Sequence, residues 1–120
     1  MAPELASPIT EPERKFCYLW LTCSKGEERQ IAQRLLAKHL ISCAKFVAVS
    51  SMYWWQHEIE SADEIAIIME SAEDLFDEIE AEVATIHSYD TFVLQLLPVA
   101  RINRSAAKWM NESLKAPSRR

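Results

Sequence analysis

Residues 43 to 68 form one long stretch rich in Val, Ile, Tyr and Trp, broken only by the polar trio Gln56-His57-Glu58. Two extended runs flanking a short polar break predict a hairpin. Its arms, at about 10 to 13 residues each, exceed the usual five or six. Large aromatics (Tyr53, Trp54, Trp55) fall on both faces of it. They suit either packing between subunits or the walls of a ligand pocket.

The hydrophobic period changes in a fixed order around this hairpin. Lys15 to Ser24 is apolar on both alternating faces, Cys17, Leu19 and Leu21 against Phe16, Tyr18 and Trp20, which predicts a central or interface strand. Residues 27 to 41 carry Ile31, Leu35, Leu36 and Leu40 at helical spacing, with Ser24 as a cap and Glu27 three residues on. Ala72 to His87 repeats the helical stripe through Leu75, Phe76, Ile79, Val83 and Ile86. A strand over Thr91 to Val99 and a short helix over Asn103 to Leu114 follow. The order β-α-β-β-α-β plus a terminal helix predicts an α+β, ferredoxin-like sandwich with two helices on one sheet face. One terminal helix cannot cover the other face, so apolar side chains there, with the long hairpin, point to an oligomer.

A chain of 120 residues is sized for one core. Pro3, Pro8 and Pro12 among Ser, Thr and Glu make residues 1–13 a disordered tail, and 116–120 read as a short polar tail, leaving one domain over 14–115. Gly26 is the single glycine, so neither a phosphate-binding loop nor a dinucleotide turn can be built. Cys17, Cys23 and Cys43 are odd in number and lack a C-x-x-C pair, which fits a reducing compartment and argues against a disulfide framework or zinc knuckle. With no apolar run long enough for a signal peptide or membrane span, the expectation is a soluble, cytoplasmic protein.

Charge is segregated. None of the 13 Lys and Arg residues lies between positions 46 and 100, while 12 of the 18 acidic residues do. That layout does not suit nucleic acid, which needs a continuous basic strip. The acidic second helix reads as a solvated face, as a surface meeting a basic partner such as the first helix or C-terminus of another copy, or as a weak attractor of divalent cations.

No nucleophile or acid-base motif is visible, and an enzyme is not expected. His39 lies near the stripe of the first helix and reads as structural; His57 sits at the hairpin tip. His87 ends the second helix, where the dipole favours a cation, and Tyr89 and Asp90 beside it also suit a site. Cys23 closes the first strand near a helix N-terminus, so it reads either as an activated thiolate or as a buried inert thiol.

Several pieces, taken in order, resemble the CutA family of divalent-cation tolerance proteins. They are Leu21-Thr22-Cys23, Leu40-Ile41-Ser42-Cys43-Ala44, Ser51-Met52-Tyr53-Trp54-Trp55 leading to Ile59-Glu60 and Glu64, His87-Ser88-Tyr89-Asp90-Thr91, Leu97-Pro98-Val99, and Trp109. The resemblance runs over about residues 16–114, and Tyr-x-Trp-x-x-x-Ile-Glu at 53–60 is its strongest element. It implies a ferredoxin-like homotrimer in which long second and third strands extend edge to edge between subunits. It also implies an association with divalent-metal tolerance and copper binding, in animals with the anchoring of a membrane enzyme, and no agreed catalytic activity. Carried over, Cys23 and His87 become the metal candidates, and Tyr53, Trp55, Glu60, Glu64, Tyr89 and Trp109 the intersubunit cleft. The expected function is a non-enzymatic trimer that binds a divalent metal such as copper weakly. The alternative is a trimeric interaction or signalling scaffold taking a small ligand or a protein partner in its clefts. The sequence departs from the family at the hairpin glycine (His57), the asparagine of the second strand (Lys45) and the lysine ending the third (Glu70). Two prolines and a glutamate after His87 become Ser88, Phe92 and Val93.

Overall fold

The computed structural model describes residues 14–117. The tail expected over 1–13 and the last three residues of the C-terminal one lie outside the described residues. The elements are β1 (Phe16–Ser24), α1 (Glu28–Ala37), β2 (Cys43–Trp55), β3 (Glu58–Ala72), a single 3₁₀ turn (Glu73–Leu75), α2 (Phe76–Ile86), β4 (Leu94–Pro98) and α3 (Arg104–Ser113). The four strands form one antiparallel sheet in the order β2-β3-β1-β4, the ferredoxin-like arrangement.

Alternation along β1 sets the layers. Cys17, Leu19, Leu21 and Cys23 point toward the helices and are buried, as are Ile67 and Met69 beside them on β3. Ile31 and Leu35 of α1 and Ile79 and Val83 of α2 close on them. Fully burying one such side chain is worth roughly 1.5–3 kcal/mol, so this layer dominates stability. Tyr18 and Trp20 of β1 look the other way, and Trp20 remains 42% exposed. β1 is therefore central in its pairing yet covered on one face in the single chain.

Two helix boundaries and one cap differ from the sequence expectation. The first helix ends at Ala37 rather than near residue 41, because His39 takes a left-handed backbone (φ 59°). His39 N–H then donates to the Leu36 carbonyl and Leu40 N–H to that of Leu35, a Schellman closure. His39 is thus exposed and off the apolar stripe, but it is structural: its Nδ1 pairs with the Ser113 carbonyl at 3.0 Å and its own carbonyl accepts from Lys115 N–H. Ala72, expected to open the second helix, ends β3 opposite Phe16, and the helix proper begins at Phe76. Ser71 hydroxyl donates to the Leu40 carbonyl at 2.6 Å and holds that strand end. Ser24 does not cap α1 through its side chain; its carbonyl accepts from Glu27 N–H instead.

The acidic second helix finds bases in its own chain. Arg34 of α1 and Lys38 just past its end both reach Glu82, Lys115 reaches Glu78, and Arg14 pairs with Asp74. Arg34 and Lys38 hold the Glu82 carboxyl below its ordinary range.

β2 and β3 stay in register from Cys43↔Glu70 to Trp55↔Glu58, and the hairpin gives the molecule a 60 Å long axis against 25 and 24 Å across. Its two-residue turn puts Gln56 (φ 50°) and His57 (φ 69°) in the left-handed region. Neither is glycine, and such a backbone costs an ordinary residue about 1–2 kcal/mol. Replacing His57→Gly relieves that strain but adds chain entropy to the unfolded state, so we expect a net gain of about 0.5–1 kcal/mol in urea unfolding. A loss of stability would contradict this turn geometry.

Candidate functional site

Glu64 lies on β3 opposite Ser24 of β1 and Val49 of β2, which places it on the sheet face away from the helices. It is 5% exposed, and it is the buried carboxylate of the described residues. Tyr89 lies over it and donates its phenol to Oε2 at 2.6 Å. Tyr53 and Trp55, at the same alternate positions of β2 as Val49 and Ser51, project from the same face. With Trp54 and Asp90 they line a cleft of about 540 Å³ at the base of the hairpin overhang.

The segment that carries Tyr89 is held by His87. Tyr89 N–H donates to His87 Nδ1 at 3.0 Å, so the proton of the neutral ring sits on Nε2, which donates to the Thr22 carbonyl at 2.9 Å. The ring also stacks on Phe92, with centroids 5.3 Å apart. Ser88 adds hydrogen bonds from its hydroxyl and N–H to Glu27. This explains why β4 starts at Leu94 and not near Thr91. The β1–β4 ladder stops at Leu21↔Leu94, and the next β1 carbonyl, that of Thr22, accepts from a side chain instead of a strand.

Burial and the Glu64 hydrogen bond push the Tyr89 phenol up to about 12. Burial, reinforced by Glu27, Glu28 and Glu64, pushes the Cys23 thiol up to about 12, and burial followed by Glu73 and Asp74 does the same for Cys17. Cys23 is therefore an enclosed core thiol whose burial favours the protonated form.

The residues present do not form a ready transition-metal site. Such a site needs three or four convergent ligands, and no group of three or more His, Cys, Asp or Glu side chains converges in that way among the described residues. Both nitrogens of His87 are engaged, and Cys23 is sealed in the core. Of the six cleft candidates, Tyr53, Trp55, Glu64 and Tyr89 come together. Glu60 pairs with Tyr53 across the hairpin and does not line the cleft, and Trp109 rides on α3 outside it, half exposed. The sequence reading offers Trp54 as a pocket-wall aromatic and Asp90 as a polar neighbour of His87 without placing either in the cleft, and it omits Thr22. Thr22 shares the strand parity of Ser24, the cross-strand neighbour of Glu64, and that parity was the available signal.

Fold and cleft together define a ferredoxin-like α+β protein with an overlong hairpin and an acid-aromatic cleft beneath it. Residues 17–113 match the family of the CutA1 divalent ion tolerance protein, and the chain belongs to that family. It is 33% identical over 98 residues to the divalent-cation tolerance protein CutA of Archaeoglobus fulgidus, covering 81% of this chain and 96% of that one. To the CutA protein of Pyrococcus horikoshii it is 30% identical over 86 residues, covering 72% and 84%. The solved A. fulgidus structure, described as a periplasmic divalent cation tolerance protein, superposes with a TM-score of 0.81 at 32% identity over 83% of this chain and 99% of that chain. The crystal structure of CutA1 from P. horikoshii gives 0.79 at 26% identity, over 83% and 99%.

Two outcomes follow from this geometry. Tyr89→Phe removes the one hydroxyl held on Glu64 Oε2 and should lower stability by about 1–3 kcal/mol in urea unfolding, the cost of leaving a buried acceptor unpaired; an unchanged midpoint would show that water replaces the phenol freely. The second concerns pH. Three groups have folded-state values raised above their unfolded ones, so their stabilising share is complete below the ordinary thiol and phenol values. It should fade as pH climbs toward about 12. Unfolding free energy measured across alkaline pH should fall in that window, with a shallower slope in Cys23→Ala. A flat alkaline profile would contradict the burial of these groups.

Proposed function

We propose that this member of the divalent-ion tolerance family is a non-enzymatic homotrimer that meets divalent cations, copper included, only weakly. The observation that carries the trimer is the uncovered apolar surface. Tyr18, Trp20, Val47 and Leu97 stand on the open sheet face, and Met52 (75%), Trp54 (72%) and Ile59 stand bare on the overhanging hairpin. These residues lie on both faces of the sheet, four on the open face and three on the helix side of the hairpin, and exposed apolar surface of this kind marks interaction sites. Weak metal binding follows from the engaged ring of His87 and the protonated, enclosed Cys23, since a cation must displace a hydrogen bond or open the core to reach either. The free thiols Cys17, Cys23 and Cys43 favour a reducing compartment such as the cytoplasm, although the A. fulgidus relative is described as periplasmic. A second reading, a trimeric scaffold that takes a small ligand or a protein partner in its clefts, is favoured by the cleft over Glu64.

Light scattering coupled to size exclusion should report close to three times 13.8 kDa at micromolar protein. Calorimetry on the same sample should show weak copper binding that drops further in Cys23→Ser and His87→Ala. A monomer would remove the trimer, and tight stoichiometric copper binding that survives both substitutions would remove the metal assignment.

A further inference from the structure

We propose that the cleft over Glu64 is a binding site for a small organic ammonium ion. This gives the cleft reading above a ligand class and rests on that reading; the lining residues named here are those that one chain contributes.

Glu64 favours a cation. Only Oε2 of this buried carboxylate is occupied, by the Tyr89 phenol. Among the described residues Oε1 accepts no hydrogen bond and no Lys, Arg or His forms an ion pair with the group, whereas Glu70, Asp74, Glu78 and Glu82 each have one. Nor is Oε1 a sealed, orphaned atom, since no buried side-chain oxygen of the described residues lacks a partner. It therefore opens on the cleft that Glu64 lines. A carboxylate withdrawn from water and unpaired by a cation is costly, and a positive charge entering the cleft offsets that cost.

The cleft wall is aromatic. Tyr53, Trp54, Trp55 and Tyr89 line the same space, and the electron-rich faces of Trp and Tyr rings attract cations, organic ammonium ions in particular. No Lys or Arg occurs anywhere between residues 46 and 100, so the strands and the segment that form most of the cleft bring no competing cation of their own. Asp90 adds a second acid at the wall.

The same lining suits an ammonium better than a metal ion. Calcium and magnesium need six or more oxygen ligands, and softer metals need convergent nitrogen or sulfur. The cleft provides one buried carboxylate, one rim carboxylate, hydroxyls and aromatic rings. A volume of about 540 Å³ is that of a small-molecule pocket, larger than a bare ion requires.

The test titrates the full-length protein with benzylammonium and with benzyl alcohol, a neutral molecule of similar shape, following tryptophan fluorescence and calorimetry. Benzylammonium should bind about tenfold or more tightly than benzyl alcohol. Glu64→Gln, which keeps an acceptor for Tyr89 but loses the charge, should bring the two affinities together. Trp55→Leu, on the exposed hairpin, should weaken benzylammonium selectively, and it keeps the test available if Glu64→Gln does not fold. Equal affinity for the two probes, no response to either, or a preference that survives these substitutions would overturn the proposal. Excess magnesium should fail to displace benzylammonium; competition by magnesium at equal concentration would overturn it in favour of a metal site. Light scattering on the same samples shows whether the oligomer is intact, so failure of the site is distinguished from failure of the trimer.

Discussion

The register of β3 is the constraint on which the rest of the molecule depends. This strand is paired with β1 over residues 64–72 and with β2 over residues 58–70, so its alternation is shared with both neighbours. Ile67 and Met69 then face the helices while Glu58, Glu60 and Glu64 face away. A slip of one residue would move Glu64 to the core face and Ile67 and Met69 out of it. Side-chain and backbone bonds pin the strand at its C-terminal end: Ser71 to the Leu40 carbonyl, Ser42 N–H to the Glu70 carbonyl and Glu73 N–H to the Lys15 carbonyl. At the other end the pin is the tight turn at Gln56 and His57. Fold and cleft are thus two readings of one register.

Electrostatics divide along the same plane. On the helix side, acids of α2 are answered by Arg34, Lys38 and Lys115, and Arg14 answers Asp74 at its start. Individually such exposed pairs contribute little, about 0–1 kcal/mol. Their larger effect is on location, because they engage several of the chain's bases on the helix layer. Lys45 is held by Glu70 at the C-terminal end of β3. The hairpin side is left acidic and aromatic.

Much of this was legible in the sequence. The six-element order, the buried stripes of both sandwich helices and the hairpin break at Gln56-His57 follow from hydrophobic period and polar interruption, which burial imposes directly. The boundaries misplaced at Ala72 and at Thr91 share a cause: tertiary hydrogen bonds overrode local preference, Ser71 and His87 each binding backbone distant in sequence. The left-handed His39 was not readable as such, because histidine tolerates that backbone without demanding it. For the site, strand parity is enough to group Tyr53, Trp55 and Glu64 on one face. The double engagement of His87 depends on a carbonyl 65 residues away, which no spacing rule encodes.

The outer edge of β2 has a further consequence. Over thirteen residues it offers unpaired backbone groups on one side, with no proline and with Lys45 as its one charged side chain. Edge strands of soluble proteins are usually short, interrupted or charged, because a long plain edge templates any extended chain that meets it. The opposite edge, β4, has five residues and ends in a proline, so it is protected in the usual way. The sheet is therefore guarded on one side and open on the other, and the fidelity of folding depends on what reaches β2 first: a correct neighbour, or the exposed strand of a chain still unfolded.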